Sequence, residues 1–252
     1  MTLEEKIAEK LDRFITKIEK IVYRMNLPRL LAIVRKYAEI GDISWIYYVK
    51  LIEENVKMYG IKTNISSKVS KIKEIGYKTT VLLELKEARK CAEIGDAFGM
   101  ELAIEKVMKN AEEYAKKFGE DLSNLYNQIE KIKKIGYRRA IPLELEAARR
   151  HAELGDVLDM EISIERAQKY AEKLGVDIFD QVEEIKKIGY RKAIPLKLEA
   201  ARKSAELGDA LRMEECLNFA QKYAEKCGEK IPDQVVAEIY EIYKKQLQSF
   251  DD

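Results

Sequence analysis

A short basic motif recurs in the sequence and is the best candidate for chemistry. The residues Lys-Lys-Ile-Gly-Tyr-Arg-(Arg/Lys) occupy 133–139 and 186–192, and a weaker copy lies at 73–78. Four cations around one glycine are the arrangement expected where basic side chains and main-chain N–H groups bind phosphate. The candidate phosphate-contacting residues are Lys133, Lys134, Arg138, Arg139, Lys186, Lys187, Arg191 and Lys192.

Around Gly136 and Ala140 this motif resembles the second half of a helix-hairpin-helix turn. That resemblance implies contact with a nucleic-acid backbone through the turn. It covers about seven residues of each copy. The sequence departs from the family at the first glycine, where Lys134 and Lys187 stand, and Pro142 follows closely.

The same residues also suit the end of a helix. Gly136 as the left-handed C′ residue, Tyr137 as C″ and Ile132 as C3 would complete a Schellman cap. Tyr190 with Ile185, and Tyr77 with Ile72, have the same spacing. Because every helix end needs its carbonyls satisfied, we expect capping in preference to phosphate contact.

A second candidate surface is the aromatic segment that follows the first Gly-Asp pair. Trp45, Tyr47 and Tyr48 lie in a stretch that is apolar around most of a predicted helix. Packing against the N-terminal helix would cover two faces of such a helix. Alternatively, exposed tyrosines here would form a protein interface or a homodimer contact.

The sequence offers little else that could catalyse a reaction or bind a cofactor. His151 is the only histidine, and the positions aligned with it hold Tyr37, Cys91 and Ser204. The three cysteines form no CxxC pair, and no phosphate-binding loop, dinucleotide motif or HExxH motif occurs. We therefore expect no catalysis, cofactor, metal or small-molecule substrate.

These residues are set in an internal repeat. Ala-Glu-(Ile/Leu)-Gly-Asp appears four times, beginning at Ala38, Ala92, Ala152 and Ala205, and a tyrosine lies 15 residues before each of these alanines. Repeats of this size cannot bury their apolar faces alone and must stack on one another. The sequence thus predicts an all-α, right-handed solenoid-like array.

Apolar stripes at helical spacing divide each repeat into three predicted helical segments, C, A and B. Pro28, Pro142 and Pro195 would start segment A, the glycine of Gly-Asp would end it, and the aspartate would cap segment B. This gives about 13 helices in units at roughly 1–60, 61–119, 120–175 and 176–252. Helices 1–22 and 232–252 would cap the ends, the first opened by Thr2 and Glu5.

Two further patterns bear on partners. The hairpin Pro142 to Gly175 is 34 residues long and resembles a tetratricopeptide helix pair, which implies a groove for peptides or proteins. A basic pair in each segment A is followed by a glutamate, and we expect Glu39, Glu93, Glu153 and Glu206 to form ion pairs within or between repeats.

Composition bounds the rest of the interpretation. Lys+Arg number 46 and Asp+Glu 45, so no global field attracts nucleic acid or an anionic membrane. Abundant Lys and Glu are typical of thermophiles, and we expect a cytoplasmic protein. The function predicted is a non-catalytic scaffold that binds a protein partner or a second copy. The alternative is an array that binds nucleic-acid backbone through the basic motifs.

Overall fold

The computed structural model describes residues 3–61 and 65–251, with side chains for 13–61 and 65–248. Over these ranges it contains nine helices and no strand, which confirms the all-helical prediction. The helices are α1 (Leu3–Ile40), α2 (Ser44–Met58), α3 (Ile65–Ile94), α4 (Ala97–Phe118), α5 (Ser123–Leu154), α6 (Val157–Leu174), α7 (Phe179–Glu206), α8 (Ala210–Cys227) and α9 (Asp233–Asp251). The predicted capping box of Thr2 and Glu5 lies outside the described residues.

Long and short helices alternate along the described chain. Each long helix (α1, α3, α5, α7) is followed by a shorter one (α2, α4, α6, α8), and α9 comes last. The prediction of about 13 helices is wrong, because segments C and A are one continuous helix in every repeat. The repeat is therefore a pair of helices. Among the short helices α4 is about one turn longer, with 22 residues where α6 and α8 have 18.

The three prolines that were expected to start segment A lie inside long helices. Pro28, Pro142 and Pro195 fall within α1, α5 and α7. A proline inside a helix lacks the N–H that would bond the carbonyl four residues earlier. All three prolines are exposed to solvent, so water can bond that carbonyl and the helix continues.

The glycines of the basic motifs are buried helix residues and do not end a helix. Gly76, Gly136 and Gly189 lie inside α3, α5 and α7, and none has the positive φ that a Schellman cap requires. The predicted caps at Tyr77, Tyr137 and Tyr190 are therefore wrong, and so is the helix-hairpin-helix turn. Close packing explains two of these glycines: a β-carbon would lie 2.4 Å from the Trp45 ring at Gly76 and 2.2 Å from the Met160 sulfur at Gly189.

The Gly-Asp turns agree with the prediction. In the third repeat Gly155 has φ +73°, and the Asp156 N–H donates to the main-chain oxygen of His151 at 3.0 Å. The Asp156 carboxylate then accepts the N–H of Asp159 as the N-cap of α6. Asp96 and Asp209 cap α4 and α8 in the same way, whereas Asp42 bonds the N–H of Ser44 at the start of α2.

The chain divides into two compact units, residues 1–92 with 96–133 and residues 93–95 with 134–252. In the first unit Leu27, Val34, Trp45 and Ile72 belong to one buried apolar cluster. The second unit has a cluster in which Met213 of α8 packs with Ala201 of α7 and Ile239 of α9. One domain over residues 1–252 stays a prediction. Of the helices described, none combines the length and apolarity that crossing a bilayer requires.

The close contact at Gly76 gives a test of the packing. Gly76→Ala should destabilise the protein although alanine favours a helix by about 1 kcal/mol. The added methyl group must displace the rigid Trp45 indole, and overpacking of this kind costs about 1–3 kcal/mol. The unfolding midpoint in urea, followed by circular dichroism, measures the change.

Gly189→Ala is the matched control. There the methyl group meets the flexible Met160 thioether, which can move aside. We expect a smaller loss than for Gly76→Ala. Equal midpoints for the two variants would show that the identity of the contacting side chain does not matter.

Candidate functional site

The structure spreads the eight predicted phosphate-contacting residues along α5 and α7. Four of them are engaged within the protein: Lys133 with Glu130 at 2.9 Å, Lys186 with Glu183 at 3.1 Å, Arg191 with Glu229 at 2.5 Å, and Arg139 with the main-chain oxygen of Glu93. Within the described part of the chain the other four form no ion pair; these are Lys134, Arg138, Lys187 and Lys192.

Two of these unpaired cations border a groove in the second unit. The groove lies between α5, the end of α6 and the start of α7, and its volume is about 710 Å³. Lys134 and Arg138 stand on one side. Four buried apolar side chains line it, Ile141, Leu145, Ile178 and Ile185. A groove with an apolar lining and a few convergent polar groups is the usual form of a binding site.

The repeat explains why Arg138 is unpaired. Arg191 is its counterpart in the next repeat, and there the guanidinium pairs with Glu229, the residue directly after Gly228. The residue directly after Gly175 is Val176, which lines the groove and whose side chain cannot accept a hydrogen bond. A single change of residue type therefore leaves one guanidinium available in the groove.

The remaining charges of the groove are partly compensated. Arg149 pairs with Glu184 at 3.4 Å, and the Lys173 ammonium donates to the Tyr137 hydroxyl at 3.1 Å. Glu146 and Asp177 also line the groove. Arg149 and Lys173 are thus engaged, and the charges left in the groove are the cations Lys134 and Arg138 and the carboxylates Glu146 and Asp177.

The predicted aromatic interface is only partly at the surface. Trp45 is buried in the core of the first unit, with its ring centroid 5.0 Å from that of Tyr77. Its role is therefore in packing. Tyr48 is half-buried and stacks on Tyr37 at 5.7 Å, whereas Tyr47 is 65% exposed and touches Tyr48 edge-on. Contact of Tyr47 and Tyr48 with a partner stays a prediction.

The recurring tyrosines join the two helices of a hairpin. A lysine near the end of the short helix donates to the tyrosine hydroxyl, Lys117 to Tyr77 at 2.6 Å and Lys226 to Tyr190 at 2.9 Å. Each ammonium also lies within 5 Å of the tyrosine ring centroid, which adds a cation–π attraction. These polar groups thus have structural partners.

In the second unit the tyrosine link extends to a third group. The Tyr190 hydroxyl donates to Glu161 at 2.7 Å, and Lys226 lies 3.0 Å from the same carboxylate. Partial burial alone would raise the pKa of Glu161. The hydrogen bonds from Tyr190 and Lys226, with the positive charge of Lys226, outweigh it and lower the pKa below the ordinary value.

Within the described residues the expected glutamate ion pairs are found in the first repeat only. Arg35 pairs with Glu39 at 2.7 Å, four residues along the same helix. In the second unit the arginines of the basic pairs reach other helices instead, Arg149 to Glu184 and Arg202 to Glu238. The carboxylates of Glu93, Glu153 and Glu206 form no ion pair among the described residues.

One cluster offers metal-ligand atoms within the described chain. His151, Asp156 and Asp159 place one such atom each within 4.8 Å of the others. Asp156 is already the N-cap of α6, and none of the three is buried. The cluster therefore follows from helix capping, and we assign no metal to it.

Cys91 and Cys216 are buried and Cys227 is half-buried, all as free thiols.

Comparison of the chain with protein-family models, with curated protein sequences and with solved structures finds no match. The groove residues Leu145, Val176 and Ile178 were not among the predicted site residues. Aligning the glycines that end the short helices would have shown valine where the next repeat has Glu229.

The low pKa of Glu161 gives a pH-dependent prediction. A carboxyl whose pKa is lower in the folded protein stabilises the fold above its unfolded pKa, and this contribution is lost as the pH falls through the folded pKa. Glu161→Gln should therefore flatten the decline of the melting temperature in the acidic range. The free energies of unfolding of the variant and the parent protein should differ by less than about 1 kcal/mol, because solvent screens the half-exposed pair of Glu161 and Lys226.

Tyr190→Phe tests the contribution of the tyrosine hydroxyl to the low pKa of Glu161. It removes one of the two donors to Glu161 and keeps Lys226, so an intermediate acid dependence is expected. Melting curves between pH 3 and pH 7 compare the variants with the parent protein. If the melting temperature of Glu161→Gln fell with pH as steeply as that of the parent protein, other carboxylates would be responsible for the loss of stability in acid.

Proposed function

We propose that the protein is a non-catalytic helical-repeat scaffold that binds another protein. Its helix pairs form a right-handed solenoid-like array of tetratricopeptide-like hairpins. The groove between α5, α6 and α7 holds a segment of the partner that carries both acidic and apolar side chains. The protein works in the cytoplasm, and the abundance of Lys and Glu suits a thermophilic source.

The observation that carries this proposal is the unpaired Arg138 above an apolar lining. A guanidinium presents a rigid fork of N–H donors that matches a carboxylate. Ile141, Leu145 and Ile178 beside it offer contact to apolar side chains and little to a sugar–phosphate chain. A peptide with alternating acidic and apolar groups satisfies both features at once.

The alternative function, binding of a nucleic-acid backbone, has less support. Lys133, Lys186 and Arg191 have carboxylate partners, so a phosphate would have to compete with them. The cations left for a phosphate chain are Lys134, Arg138, Lys187 and Lys192. Nucleic-acid binding is therefore an outcome that the experiment below must be able to detect.

Fluorescence anisotropy with labelled probes tests the proposal. The probes are a 12-residue peptide of Leu and Glu, its Leu and Lys counterpart, and single-stranded and duplex oligonucleotides. We expect the acidic peptide to bind best. Arg138→Ala should weaken that binding about tenfold, since a hydrogen bond to a charged group contributes about 1.5 kcal/mol or more.

Two variants separate the groove from general charge. Val176→Glu places a carboxylate where the next repeat has Glu229, so it should pair with Arg138 and weaken peptide binding as Arg138→Ala does. Arg191→Ala removes an equal charge outside the groove and should leave the affinity unchanged. Tighter binding of oligonucleotides with a steep loss in salt would support the alternative and contradict the scaffold.

A further inference from the structure

The N-terminal half of α1 carries an uncovered apolar stripe. Phe14, Ile18, Ile21 and Met25 are 60%, 45%, 58% and 76% exposed. Their spacings of four, three and four residues are those of the a and d positions of a coiled coil, with Ile18 and Met25 at a and Phe14 and Ile21 at d. In the sequence the same spacing extends back through Leu11 and Ile7.

In other repeats the corresponding part of the long helix is covered. Counting from the recurrent tyrosine, Val69 and Ile72 of α3 occupy the positions of Ile15 and Ile18, and both are buried. Gly76 of α3 packs directly on Trp45 of the preceding short helix α2. Among the described residues no helix precedes α1. Its stripe is as apolar as the matching part of α3, but it is exposed to solvent.

The stripe faces away from the hairpin to which α1 belongs. Leu27 is buried in the core of the first unit, and it follows Ile18 by nine residues, about two and a half helical turns. The two side chains therefore point to opposite sides of α1. A second helix can lie along the stripe without meeting α2.

The heptad pattern calls for a helix as the occupant. The last helix of another copy is less suited to this position, because α9 already packs on α7 and buries Ile239 there. The N-terminal half of α1 itself has the required stripe. A pair of identical stripes also closes after two copies, as an isologous contact must.

The flanking charges select one direction for such a pair. Lys17 and Arg24 stand at g positions, and Ile15 and Val22 at e positions. In an antiparallel pair g faces g, which would bring these cations together. In a parallel pair g faces e, so the lysine and arginine stems cover Ile15 and Val22 of the other copy. Glu19, next to these e positions, then attracts the opposing cations.

We propose that two copies of the chain associate through the N-terminal halves of α1 as a parallel, in-register, two-stranded coiled coil. Phe14, Ile18, Ile21 and Met25 of each copy form its core. This inference is independent of the groove in the second unit, and either could be wrong while the other holds.

Light scattering coupled to size exclusion measures the mass at micromolar concentrations. We expect twice the 29.2 kDa of one chain. Ile18→Glu should reduce the mass to that of a single chain and leave the circular dichroism spectrum unchanged, since Ile18 lies outside the buried core of the single chain. Leu82→Glu, at an apolar residue of α3 that is 66% exposed, is the matched control and should stay dimeric.

Cross-linking tests the direction of the pair. Phe14→Cys should form a disulfide between copies on mild oxidation, because a parallel register places the two cysteines opposite each other. In the antiparallel pair residue 14 would lie opposite residue 25, about 16 Å from its own counterpart at 1.5 Å per residue.

Three results would overturn the proposal: the mass of one chain or of three for the parent protein, a dimer that survives Ile18→Glu, or a dimer in which Phe14→Cys does not cross-link. The parent protein, whose cysteines are buried or half-buried, is the control for cross-linking through other thiols.

Discussion

The Gly-Asp turn is the constraint on which the other features depend. A left-handed glycine reverses the chain, and the aspartate after it both closes the long helix through its N–H and opens the short helix through its carboxylate. Buried alanines beside the turn, such as Ala38 and Ala152, let the two helices approach closely. This fixes the register in which lysines near the end of a short helix reach the tyrosines of the long one.

The turn also explains a position that varies freely. His151 contributes only its main-chain oxygen to the closing hydrogen bond, as do Tyr37, Cys91 and Ser204 at the aligned places. The main-chain hydrogen bond is the same whichever of these side chains is present.

Local sequence signals were reliable where the backbone itself decides the structure and unreliable where packing decides it. The glycines before aspartate and the aspartate caps could be predicted because they depend on φ and on nearby N–H groups. Pro142 and Gly189 were interpreted as helix boundaries, yet both lie inside helices. Solvent exposure makes Pro142 tolerable, and the glycine at 189 leaves space for the close approach of Met160. Neither fact is visible from the neighbouring residues alone.

The candidate sites follow the same division. The cations of the groove could be named from the basic motif, but their availability depends on a residue almost 40 positions away in the sequence. Arg191 forms an ion pair with Glu229, whereas the corresponding residue for Arg138 is Val176, which has no charge. The repeat thus provides a common frame, and an exception to it leaves one guanidinium without an ion-pair partner among the described residues.

The chain contains one tryptophan, and its indole is buried against Tyr77 within the first unit. Intrinsic fluorescence at this ring consequently monitors the local order of that unit alone, whereas the helical signal in the far ultraviolet sums over both. Coincident transitions of the two signals on heating would identify cooperative melting of the whole chain, and separate transitions would identify two independently melting blocks.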